Sequence, residues 1–64
     1  PDILVHGDAG HEMAAINQSR FYLLSGITCE YSVFESRAEA TAYAQARGIR
    51  KICFVNTDHE IVDL

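Results

Sequence analysis

Basic residues are scarce in this chain. Five lysines and arginines stand against nine acids in 64 residues, for a formal charge of −4 and a pI near 5.1. The five (Arg20, Arg37, Arg47, Arg50 and Lys51) are scattered, and only the last three fall close together. A free-standing nucleic-acid binder draws much of its affinity from Lys and Arg on phosphates, so the charge has the wrong sign for that role. No apolar run reaches the ~20 residues that a membrane helix needs, and no signal-peptide pattern is present. No membrane partner is therefore expected, and the two cysteines, read below as reduced thiols, lead to the expectation of a cytoplasmic location. At this length the chain is read as one domain, residues 1–64, and as it does not open on methionine, as either a processed chain or a domain cut from a longer protein.

Other scarcities bear on chemistry. Cysteine is limited to Cys29 and Cys53, with no CxxC, and His6, His11 and His59 show no HxxxH spacing. No metal site is expected from such a set. Neither GxGxxG nor GxxxxGKS/T occurs, although His6-Gly7-Asp8-Ala9-Gly10 follows an apolar run and precedes a helix. Asp8 and Glu12 at the mouth of that turn would repel an anion, so it reads as a structural turn without a cofactor. A cysteine nucleophile needs a paired base, and both cysteines fall inside predicted strands. No catalytic residues are assigned, and enzymatic activity is not expected.

The order of apolar runs and turn signals is what the sequence does supply. Asp2–His6 reads as a strand stopped by Gly7, about Gly10–Leu24 as a helix stopped by Gly26, and Thr28–Phe34 as a second strand. Ser36–Arg47 then reads as a helix stopped by Gly48, Lys51–Val55 as a third strand, and Glu60–Leu64 as a fourth after the turn Asn56-Thr57-Asp58. This βαβαββ order predicts an α/β fold with a four-stranded mixed sheet in the order 2-1-3-4. The first three strands are parallel and the fourth antiparallel, with one helix on each face. Cys29 and Cys53 would then lie two strand spacings apart, roughly 9.5 Å, beyond the ~7 Å limit for a disulfide. They read as reduced, buried thiols.

Within the first helix, Met13, Ile16, Arg20, Leu23 and Leu24 follow a three-to-four spacing that predicts the inward face, widened by Ala14, Phe21 and Tyr22. Phe21 and Tyr22 are read as packing groups, Glu12, Asn17, Gln18 and Ser19 as the wetter side, and Asp8 as the N-cap. The second strand alternates, which places it at an edge. Ser36-Arg37-Ala38-Glu39 is a capping box that opens the second helix. Its inward stripe is Ala40, Tyr43, Ala44 and Arg47, and Gly48 is its C′ residue. Ile52 and Phe54 share one face of the third strand, with Lys51, Cys53 and Val55 on the other.

The segments Asp2-Ile3-Leu4-Val5, Ala38-Glu39-Ala40-Thr41-Ala42-Tyr43-Ala44 and Ala46-Arg47-Gly48-Ile49-Arg50-Lys51-Ile52-Cys53-Phe54-Val55 carry a family resemblance. They are similar to the C-terminal anticodon-binding-like domain of the histidyl-tRNA synthetase family. Within it they most resemble the regulatory subunit of ATP phosphoribosyltransferase, a non-synthetase paralogue. The resemblance spans nearly the whole chain but rests on structural motifs. It implies a regulatory or scaffolding domain in histidine biosynthesis, with the catalytic subunit or a neighbouring domain as partner. No active-site residue carries over, since the family's catalytic core lies in another domain. A tRNA anticodon binder and a flavodoxin-like protein-interaction module are the alternatives. The acidic charge, and aromatics on apolar stripes, weigh against the anticodon reading.

Longer relatives add a further helix. Without it, the face of the third and fourth strands on the first helix's side is expected to be bare. Ile52, Cys53, Phe54, Val55, Ile61 and Val62 are therefore the candidate interface residues, and the isolated domain is expected to form a homodimer through this face or the free edge.

Overall fold

Three consecutive aliphatics, Ile3, Leu4 and Val5, suit a strand covered on both faces. In the computed structural model, which describes residues 1–64, they lie in the central strand β1 (Ile3–Gly7). Helix α1 (Glu12–Leu24), strand β2 (Cys29–Tyr31), helix α2 (Arg37–Arg47), strand β3 (Lys51–Val55) and strand β4 (His59–Asp63) follow. The strands form one sheet in the order β2-β1-β3-β4. β1 runs parallel to β2, with Ile3 beside Cys29, and parallel to β3, with Leu4 beside Ile52. β3 and β4 are antiparallel, with Cys53 opposite Ile61. This is the strand order read from the sequence.

Strand alternation sorts the core into two layers. Ile3, Val5, Cys53 and Val55 point to one face, where they pack with Ala15 and Tyr22 of α1. Leu4, Ile52 and Phe54 point to the other, where they meet Ala40 and Ala44 of α2 and Ile49 just after it. The helices therefore cover opposite faces. Leu4, Val5, Ile52, Cys53 and Val55 are fully buried, and each such side chain contributes about 1.5–3 kcal/mol relative to exposure. Both cysteines are free, on strands that β1 separates. Cys53 is buried, while Cys29 is only partly so.

α2 follows its sequence signals. The Ser36 hydroxyl accepts the Glu39 N–H at 3.1 Å, and Gly48 ends the helix with φ of 72°, a left-handed conformation that glycine adopts without penalty. Arg47 departs from the inward stripe. It is exposed and stacks its guanidinium 5.0 Å from the Tyr43 ring centre.

α1 overturns the expected face. Its buried residues are Ala15, Ser19 and Tyr22, whereas Met13, Phe21, Leu23 and Leu24 are 60–89% exposed. The cause is the close approach of α1 to β1. A Cβ on Gly7 would stand 2.7 Å from the His11 carbonyl oxygen and 2.9 Å from the Ala15 Cβ. Only small side chains fit such a gap, so size selects the inward stripe ahead of hydrophobicity. Ser19 enters this layer because its hydroxyl donates to the Ala15 carbonyl at 3.0 Å.

Two other boundaries differ from expectation. Asp8 does not cap α1: the N-cap is His11, which makes no side-chain cap bond, and the Asp8 carboxylate is engaged elsewhere. β2 is shorter than Thr28–Phe34. It ends at Tyr31, and the Ser32 hydroxyl then turns the chain by accepting the Phe34 N–H at 3.3 Å.

Candidate functional site

Ligands of open α/β sheets bind outside the carboxyl ends of the strands. At that end of this sheet, polar side chains from β1, α2 and β4 converge with Asp8, Ser32 and Asn56, which follow β1, β2 and β3. His6, the last residue of the predicted first strand, lies within β1 at 1% exposure. Strand alternation puts it on the α2 face. There its ring meets Phe54 edge-on at 5.9 Å between centres, and its Nδ1 lies 2.9 Å from the Ser32 hydroxyl. Its Nε2 has no hydrogen-bond partner and lies 4.0 Å from Asp8 Oδ1. Burial pushes the His6 pKa below its ordinary value, opposed by the nearby Asp8 charge.

Asp8 is held by Arg37, whose Nη2 and Nε donate to its two oxygens at 2.6 and 2.9 Å. Asn56 Nδ2 adds a third bond at 3.1 Å. The Arg37 bonds lower the Asp8 carboxyl to about 2. Arg37 also reaches Glu60 on β4 at 3.1 Å and lies 4.4 Å from the centre of the Phe54 ring. One guanidinium at the start of α2 thus ties together the loop after β1, the core of β3 and the edge strand.

Ser32, His6 and Asp8 line up in the order of a hydrolytic triad, but they lack its freedom. Ser32 is 4% exposed and Asp8 is gripped on both oxygens. A nucleophile must reach substrate, and the base must be oriented by a carboxylate at hydrogen-bond distance. Neither condition is met. The Arg37 charge is balanced by Asp8 and Glu60, which leaves no free cation for a phosphate. At the turn before α1, the Glu12 carboxylate accepts the Gly10 N–H at 3.0 Å, occupying a donor that a phosphate loop would offer. No group of three or more His, Cys, Asp or Glu side chains is arranged to hold a metal ion. The cluster works as a clamp between elements.

The six candidate interface residues divide sharply. Ile52, Cys53, Phe54 and Val55 are at most 5% exposed, and Ile61 is 56% exposed. Val62 is partly buried against the α2 layer. The sequence reading left β3 bare, but Tyr22 packs with Cys53 in the α1 layer, and this narrows the uncovered area. What remains is an open depression of ≈ 500 Å³ whose walls include Ile3, Tyr22, Ile27 and Ile61, with Lys51 and Arg50 at its rim.

Further exposed apolar side chains went unrecognised. Met13, Phe21 and Leu24, spaced at i, i+8 and i+11, lie on the outer side of α1, with the exposed Asn17 and Arg20 between Met13 and the other two. Leu23 lies beside Leu24. The spacing was visible in the sequence, but it was assigned to the core.

No family model matches the chain, and no curated protein or solved structure matches it either. No helix is long and apolar enough to cross a membrane.

Proposed function

We propose that this chain is a non-catalytic regulatory or scaffolding domain that works by docking on protein. It is of the kind carried by the regulatory subunit of ATP phosphoribosyltransferase. The observation that carries the docking role is the C-terminal end of the outer face of α1, where Phe21, Leu23 and Leu24 are 60%, 60% and 89% exposed on a small acidic domain. Adjacent exposed apolar side chains of this kind mark a contact surface. The closed state of the strand-end cluster supports the same reading, because its charged groups are spent on each other. The named family rests on the sequence resemblance, to which the βαβαββ fold adds compatibility.

Charge disposition favours this over anticodon recognition. Arg37 is neutralised by Asp8 and Glu60, and Arg47 lies 3.9 Å from Glu30. A tRNA reader requires a basic groove with exposed stacking aromatics.

The test is titration of the chain with purified ATP phosphoribosyltransferase catalytic subunit, followed by sedimentation velocity. Saturable binding that is lost in the double variant Phe21→Gln, Leu24→Gln is the expected result. A parallel titration with labelled histidine tRNA should show no binding at physiological salt. Micromolar or tighter tRNA binding that weakens steeply with salt would transfer the chain to the anticodon-binding class.

A further inference from the structure

β4 is a free edge, and the polarity of its backbone can be read from one bond. The Leu64 N–H donates to the Arg50 carbonyl at 2.7 Å, one step beyond the Lys51–Asp63 pair. Antiparallel ladders alternate bonded and non-bonded pairs. The bonded pairs are therefore Leu64–Arg50, Val62–Ile52 and Glu60–Phe54. It follows that the N–H and C=O groups of His59, Ile61 and Asp63 point away from β3, along the open edge. Their side chains share the α1 face, because Ile61 stands opposite Cys53 of the α1 layer.

We infer that the chain forms a two-fold dimer by pairing β4 antiparallel with β4 of a second copy, centred on Ile61. In that register Ile61 opposes the partner's Ile61, and His59 opposes the partner's Asp63 at both ends. Every outward N–H and C=O of the three residues then finds a partner. The imidazole meets a carboxylate, and the Ile61 side chain gains an apolar neighbour at the rim of the depression that holds Tyr22 and Ile27. The arrangement is isologous, as a closed dimer requires.

Neighbouring registers fail on the same criteria. A slip by one residue sets outward groups against groups already bonded to β3. Centring on Glu60 places it directly against the partner's Glu60, and like charges opposed in this way destabilise a sheet. Centring on Val62 leaves the outward groups of His59 unpaired within β4. The edge carries no proline, bulge or lysine; its charges are Glu60 and Asp63, and in this register Glu60 faces the partner's Val62 while Asp63 faces the partner's His59. The second copy goes beyond the docking role proposed above and does not depend on the family reading.

The test is sedimentation equilibrium of the chain at tens of micromolar, with register read by cross-linking. A concentration-dependent dimer is expected. In a Cys29→Ser, Cys53→Ala background, which removes the thiol opposite position 61 on β3, Ile61→Cys should oxidise to a covalent dimer, since a bonded antiparallel pair sets Cα atoms about 5.5 Å apart, within disulfide reach. Leu24→Cys should not. His59→Asp should weaken the dimer about tenfold by opposing two carboxylate pairs, and adding Asp63→Lys should restore it. Three results would each overturn the inference: a monomer with no concentration dependence, a dimer that cross-links through Leu24→Cys instead, or no recovery in the His59→Asp, Asp63→Lys double variant.

Discussion

His6 and Asp8 give the chain two separate stages of acid sensitivity. His6 is buried in its neutral form with a pKa lowered from 6.5. As pH falls below 6.5 the unfolded chain takes up that proton first, so stability declines there. Asp8 acts lower down. Its folded pKa is about 2 against an ordinary 3.8, so its contribution is complete above 3.8 and is lost as pH falls towards 2. Arg37 is 42% exposed, and solvent screening leaves the pair worth about 1 kcal/mol. Asp8→Asn should flatten the lower stage in urea denaturation across a pH series. It should also steepen the upper stage, because Asp8 is the charge that favours His6 protonation. An unchanged acid limb would show that the Arg37 contact is not formed in solution. Of this cluster, the His6–Ser32 contact was legible in principle, since Val5 lies beside Tyr31 and the next residue on each strand faces the α2 layer. The Asp8–Arg37 pair was not, because 29 residues separate them and nothing local joins them.

The two helices differ in how far local signals decide their orientation. α2 carries its instructions in adjacent residues: a capping serine, small residues at Ala40 and Ala44, and glycine at the end. Its boundaries were accordingly readable. In α1 the hydrophobic spacing pointed to the wrong face, because the deciding quantity was the gap above Gly7, a tertiary property. This reversal is measurable by chemical denaturation. Ala15→Leu should destabilise the chain by about 1–3 kcal/mol through overpacking. Leu24→Gln should change stability by less than about 0.5 kcal/mol, since the side chain is mostly in water. The opposite ranking would return Leu24 to the core and remove the docking surface.

The whole-molecule topology was the most legible level. Crossover handedness leaves few ways to join three parallel strands by two helices, and the alternating second strand belonged at an edge. The extent of uncovered sheet was less legible, because it depends on how far the single side chain of Tyr22 reaches. The topology also makes the core strongly non-local. β1 is flanked on one side by β3, and both layers of the core draw on that strand: Cys53 and Val55 on one face, Ile52 and Phe54 on the other. A fragment ending at Arg47 should therefore show no cooperative thermal transition by circular dichroism, even though it contains both helices. A folded fragment would mean that β1, β2 and their helices suffice.

The placement of β1 also matters while the chain is being made. Among the six elements, the central strand emerges from the ribosome first, and the neighbour that completes its pairing emerges fifth. Both edges of Ile3, Leu4 and Val5 are open until β2 emerges third, and one stays open until β3, with an unfinished layer on each face. Completion of the sheet must wait for the last strands to clear the exit tunnel, and a holding chaperone has its target in Ile3, Leu4 and Val5.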